Sequence, residues 1–284
     1  FSLIVMKIFL FLSLFSFCFG TPILPSLKQK ISYLPELVRI QNIPPTVIFS
    51  SLGPVLQTHN LNSFLSIDVQ KSILISCFFA MGSCVINDCF DYNIDKINKP
   101  QRLIASNKIS LKEGFFISFI LFAIPLLLSH YWRYNSVTDF ITWFSFQNLI
   151  IYTPIFKKIP VVKNIVCSHI ISSSILYSGI SASQFVLSNN QLFDDSKNKL
   201  FALWNVCDPA LQHLYIGLFF VTMIREINFD INDVVGDKIN NINTIPVLIG
   251  EKKSKWLCSF FYWIAYSELL LSAITYLNRV IPII

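Results

Sequence analysis

Eight stretches of the chain run without Asp, Glu, Lys or Arg: 8–27, 40–67, 72–87, 114–132, 140–156, 164–193, 209–224 and 256–267. The last continues past Glu268 to Asn278. A membrane-crossing helix needs roughly 20 mostly apolar residues. Each stretch is near that length or long enough for one span and a loop. Only helices and closed barrels satisfy their backbone in lipid, and period-2 alternation is absent, so the pattern predicts helices. The first stretch stands apart. Met6-Lys7, the apolar run Ile8–Phe19 and the small residues Cys18 and Gly20 read as a signal sequence. Seven membrane helices remain, at about 41–58, 67–87, 111–131, 138–155, 164–186, 208–227 and 257–277.

Composition sharpens this reading. The 284 residues are 54% hydrophobic and 13% charged, with a mean hydropathy of +0.59. An ordinary soluble domain carries about 25% charge, so a soluble enzyme is excluded, and so is a disordered chain. The seven Cys show no C-x-x-C spacing and mostly fall in predicted spans. They read as small apolar fillers rather than disulfides or zinc ligands.

Charge then orients the helices. Under strict alternation, 16 of the 22 Lys and Arg fall on one side, in the segments around Lys28–Arg39, Lys96–Lys112, Lys157–Lys163 and Arg225–Lys255. Positive residues mark the cytosolic (or stromal) face. The net charge of +6 is therefore largely a topology signal, and no basic soluble domain points to nucleic acid.

On that same side lie two acidic clusters. Asp88, Asp91 and Asp95 are spaced D-x2-D-x3-D, and Asp230, Asp233 and Asp237 repeat the spacing. Each cluster is followed by Lys-Ile-Asn, at Lys96 and at Lys238. Positions three and seven apart share one helix face, so each set presents a row of carboxylates at the inner end of the second and sixth predicted helices. Bare carboxylates repel, and near a membrane they are functional candidates by default. A divalent cation relieves the repulsion. Mg²⁺ favours hard oxygens shared between one or two carboxylates and substrate phosphates, and Asn87 adds an amide oxygen. The plain alternative is that the acids only solvate two loop entrances. Arg102, Lys108, Lys157, Lys158, Arg225 and Lys238 lie on the carboxylate side and suit a diphosphate, though each also serves topology.

The first cluster, Asn87-Asp88-Cys89-Phe90-Asp91-Tyr92-Asn93-Ile94-Asp95, resembles the N-D-x-x-D-x-x-x-D signature of the UbiA superfamily of intramembrane prenyltransferases. The segment Arg102–Ser110 is similar to its R-P-L-x-S-G-x-x-S continuation, with Leu103 for Pro and Asn107 for Gly. Arg225–Lys238 resembles R-E-x-x-x-D-x-x-D-x-x-G-D-K, and Thr244–Gly250 resembles T-L-P-x-x-x-G. Tyr152, Thr153 and Lys157 look like the family's middle motif. The resemblance implies an all-α bundle of nine helices around a lipid-open cavity. It implies a polyprenyl diphosphate, Mg²⁺ and a lipophilic or aromatic acceptor, with no obligate protein partner. By the same resemblance Asn87, Asp88 and Asp91 hold one metal and Asp233 and Asp237 the other, with Asp95 and Asp230 supporting. Arg102 and Lys157 contact the diphosphate, followed by Lys108, Arg225 and Lys238. Tyr152 meets the diphosphate or the allylic cation. Seven helices against nine predict a domain over 37–284 that is incomplete at its C-terminus, after a presequence over 1–36.

The acceptor decides the finer function. Ser16–Pro22 resembles the cleavage region of bipartite plastid presequences, which favours a plastid membrane and an aromatic quinone precursor of the homogentisate or 4-hydroxybenzoate type. A glyceryl phosphate ether is the next acceptor, and Lys-Ile-Asn-Lys-Pro at Lys96 is close to that branch. Chlorophyllide is a further one. A divalent-cation transporter is the reading from a different class. Dense basic residues beside the acids argue against it, since they would repel a cation pathway.

Overall fold

The computed structural model describes residues 24–131, 136–183, 199–239 and 242–281. Among these residues every regular element is helical. The α-helices are α1 (Leu24–Leu37), α2 (Ile43–Thr58), α3 (Ile67–Phe90), α4 (Tyr92–Asn98), α5 (Leu111–Tyr131), α6 (Ser136–Tyr152), α7 (Val162–Ser181), α8 (Lys199–Val206), α9 (Pro209–Ile239), α10 (Ile245–Ile249) and α11 (Glu251–Val280). Helices α2, α3, α5, α6, α7, α9 and α11 cover the seven predicted spans. Three of them, α3, α5 and α11, are long and apolar enough to cross a membrane by composition alone. Helix α7 falls short because serines occupy its packed face. Ser168, Ser172, Ser178 and Ser181 are buried, and Ser172 and Ser181 donate to carbonyls one turn back at 2.8 Å. Small residues of this kind let membrane helices approach closely.

The bundle is held by α9 against α11 and α7, α7 against α2, and α3 against α5. The α2–α7 crossing is close. A Cβ on Gly53 would lie 2.2 Å from the Ile175 carbonyl oxygen, so only glycine permits that approach. The outer faces of α5 and α11 are apolar and open: Phe119, Leu127, Trp256 and Trp263 are each about two-thirds exposed or more, as suits surfaces facing lipid.

Two features depart from the sequence reading. Residues 24–36 fall in the expected presequence, yet they form most of α1, which packs into the body. Leu34 and Leu37 are buried beside Val85, Leu103 and Ile104, and Lys30 pairs with Glu113 on α5 at 2.6 Å. The sixth predicted helix also does not stop near 227. Helix α9 runs unbroken to Ile239 and carries the second acidic cluster on its own extension.

Candidate active site

The first acidic wall is built at a bend. Helix α3 ends at Phe90, and Asp91 sits at φ −82°, ψ 1° before α4 starts at Tyr92. That bridge region is sparsely populated and recurs at active sites. The backbone ladder carries through it. The Asp91 N–H donates to the Asn87 carbonyl at 2.9 Å, and the Asp95 N–H to the Asp91 carbonyl at 2.7 Å.

Each carboxylate of this wall meets a base. The Lys157 ammonium contacts Asp91 Oδ2 and donates to Asn87 Oδ1 at 2.8 Å. Asn87 Nδ2 also donates to Asp91 Oδ2, at 2.9 Å. Arg102 bridges Asp95 at 2.6 Å and Asp88 at 3.1 Å. Asp88 further accepts from Arg39 at 2.5 Å. Burial pushes the Asp95 carboxyl above the usual carboxylate range, while the Arg102 guanidinium pulls it back.

The second wall lies on α9. Asp230 is buried and takes the Lys163 ammonium at 2.5 Å and the Asn164 amide at 3.0 Å. Asp233 takes Lys99 at 3.1 Å, an ion pair that joins the two walls. Beside it, a Cβ on Gly236 would fall 2.4 Å from Asn98 Oδ1, so the glycine lets α4 and α9 close together.

A cavity of about 1,670 Å³ opens between the walls. Asn87, Asp91, Asp95, Arg102, Tyr152, Lys157, Arg225, Asp230, Asp233 and Asp237 all line it. Three expected site residues do not. Asp88 turns aside to hold Arg39 and Arg102. The Lys108 ammonium lies over the Tyr33 ring, 5.6 Å from its centroid. Lys238 is exposed on the last turn of α9. Arg225 lines the cavity while its guanidinium rests 5.1 Å from the Phe229 ring centroid. Tyr152 comes together with Cys167 and Glu226.

Arg39, Lys99, Lys163 and Glu226 also line the cavity, and none was singled out from the sequence. The basic three carried a signal, since they sit on the basic side, but topology absorbed it. Glu226 stood inside the quoted second motif.

Long apolar helices around a cavity with facing acidic walls, five of whose six aspartates pair with a base, define an intramembrane enzyme for an anionic substrate. Residues 48–284 match the UbiA prenyltransferase family, and the chain belongs to that family; it is a prenyltransferase. It is 31% identical over 253 residues to the digeranylgeranylglyceryl phosphate synthase of Methanococcoides burtonii, covering 87% of this chain and 80% of the relative. A solved structure from work on digeranylgeranylglyceryl phosphate synthase in membranes superposes with a TM-score of 0.61 at 26% identity, over 90% of this chain and 80% of the other. A UbiA homologue from Archaeoglobus fulgidus bound to GPP and Mg²⁺ shares the fold, with a TM-score of 0.56 at 17% identity, over 85% and 77%. The named relatives are archaeal and lend no support to a plastid location. Most of the presequence reading rests on residues 1–23, outside the described residues.

Proposed function

We propose that this enzyme transfers a geranylgeranyl-type chain from its diphosphate to the hydroxyl of a glyceryl phosphate ether. The observation that carries the reading is the similarity to a digeranylgeranylglyceryl phosphate synthase along 87% of the chain. The charge of the cavity supports it. Arg39, Lys99, Arg102, Lys157, Lys163 and Arg225 all line one space, which suits two phosphate-bearing substrates better than one. This acceptor takes the place of the quinone precursor favoured by the sequence.

The donor set fits Mg²⁺. Among the described residues no three His, Cys, Asp or Glu side chains form a closed metal cage. Mg²⁺ does not need one, because it keeps waters and binds through one or two carboxylates plus substrate phosphates. The basic contacts use Oδ2 of Asp91, Asp95 and Asp233, and the second oxygen of each carboxylate is not used by them. Asp91 and Asp95 with Asn87 would hold metal on one wall, and Asp233 and Asp237 on the other. Asp88 and Asp230, each engaged by two donors, act as supports. Asn164 Oδ1, beside Asp230, is a further hard oxygen with no hydrogen-bond partner among the described residues.

Bound Mg²⁺ supplies Lewis-acid stabilisation of the charge that develops on the leaving diphosphate. The protein's own groups do the rest. Lys157 and Arg102 share their protons between carboxylate and diphosphate oxygens, which favours the charge gained as the allylic C–O bond breaks. Tyr152, at the end of α6, lines the same cavity and would stand near the allylic carbon. Apolar walls exclude water from the allylic cation, so the acceptor hydroxyl oxygen bonds to that carbon and gives up its proton to the released diphosphate.

The test is direct. The protein in lipid nanodiscs receives geranylgeranyl diphosphate and one acceptor at a time: geranylgeranylglyceryl phosphate, homogentisate or 4-hydroxybenzoate. Mass spectrometry of the product lipid should show the diether phosphate. Prenylation of an aromatic acceptor with none of the ether would overturn the proposal.

A further inference from the structure

The apolar arm of the cavity contains a polar pair that the chemistry above does not use. His169 on α7 and Tyr215 on α9 both line it, and His169 Nδ1 lies 2.8 Å from the Tyr215 hydroxyl. Aromatic rings brace each end. Phe144 on α6 meets the His169 ring edge-on at 6.4 Å, and Trp204 on α8 meets the Tyr215 ring edge-on at 5.9 Å. Four helices therefore contribute to one bar across the arm.

Its position gives it meaning. On one side lie Tyr152, Asp230 and the reacting end. On the other, the same cavity continues along Ile180, Leu203 and Cys207. Room exists past the bar, but a chain must pass rings to use it. A hydrogen bond in low-polarity surroundings is costly to leave unmade, so the pair is held, and the flanking rings restrict its rotation. A fixed obstruction part-way along an apolar arm limits how much chain fits.

We propose that the His169–Tyr215 bar, with Trp204 and Phe144, sets the length of prenyl chain that the enzyme accepts. The inference rests on prenyl transfer, and only the expected preference for four isoprene units rests on the proposed acceptor class. Removing ring volume at the bar should admit longer chains. Adding volume before it should exclude them. Leu218, three residues along α9 towards the acids, lines the arm and is the place to add it.

The experiment compares farnesyl, geranylgeranyl and geranylfarnesyl diphosphates with whichever acceptor the wild-type protein turns over, so failure of the acceptor proposal leaves this test intact. The readout is the ratio of kcat/KM between chain lengths. A methylene in an apolar pocket is worth roughly 10-fold or more in discrimination. Trp204→Ala and Tyr215→Ala should therefore raise the ratio for the longest chain over geranylgeranyl by at least about 10-fold. Tyr215→Phe keeps the ring and should leave the ratio within about 3-fold of wild type. Leu218→Trp should move preference towards farnesyl. Should an alanine variant fail to fold, Trp204→Leu and Leu218→Trp still decide the matter. Unchanged length ratios in folded Trp204 and Leu218 variants would overturn the proposal.

Discussion

The ion pair between Lys163 and Asp230 offers the sharpest test of the second acidic wall. Their side chains are 14% and 9% exposed and meet at 2.5 Å. Lys163→Ala removes the base and leaves the buried Asp230 carboxylate with the Asn164 amide at 3.0 Å. Stranding a buried charge in this way costs about 3–5 kcal/mol. For a chain of this size, 1 kcal/mol moves Tm by about 2–4 °C, so the variant should melt roughly 10 °C below wild type. Asp230→Asn on the Lys163→Ala background removes the stranded charge and should recover most of that loss. Melting curves in detergent for the four proteins of the cycle give the coupling directly. Diphosphate release, measured on the same samples, should stay low in the double variant even though stability returns, because the cavity has lost a base and a carboxylate that line it. A Lys163→Ala protein that melts within about 2 °C of wild type would refute the stranded-charge reasoning. So would a coupling energy near zero.

Other expectations follow from the same geometry. Arg102→Ala should cut kcat/KM by roughly 100-fold or more, since it takes a charged donor from the leaving group, and Arg102→Lys should recover little, because an ammonium lacks the planar fork of donors that can hold Asp88 and Asp95 through one nitrogen and still reach a diphosphate. Asp91→Ala and Asp233→Ala should abolish Mg²⁺-dependent diphosphate release at any metal concentration, whereas Lys108→Ala and Lys238→Ala should stay within about 3-fold of wild type, as neither residue lines the cavity; steady-state kinetics over a Mg²⁺ titration checks all four. Gly53→Leu should prevent the α2–α7 approach and abolish a folded, monodisperse protein on size exclusion, because its Cβ alone meets a carbonyl oxygen at 2.2 Å.

The two acidic clusters were legible from spacing alone, yet the identical spacing hides different backbones. Helix α9 runs through Asp230, Asp233 and Asp237 without a break. Helix α3 stops at Phe90, and Asp91 turns the chain. No propensity distinguishes the two segments, since both lack Pro and the second even contains Gly236. What differs is tertiary. Lys157 and Asn87 both hold Asp91 Oδ2 at the bend, whereas on α9 the neighbours are Lys163 and Asn164 from a helix packed alongside. The basic residues illustrate a second limit. One set of Lys and Arg fixes topology and fills the site, so a count by side cannot tell Lys163, which holds Asp230, from Lys238, which faces outward. The distinction depends on which loop or helix carries each side chain back over the cavity mouth. Arg39 reaches Asp88 because its residue adopts a left-handed φ of 50° at the end of α1, a turn that no hydropathy pattern marks. Charge on the inner face is thus necessary for the site but becomes specific only when paired acids, themselves fixed by helix register, select among the bases within reach.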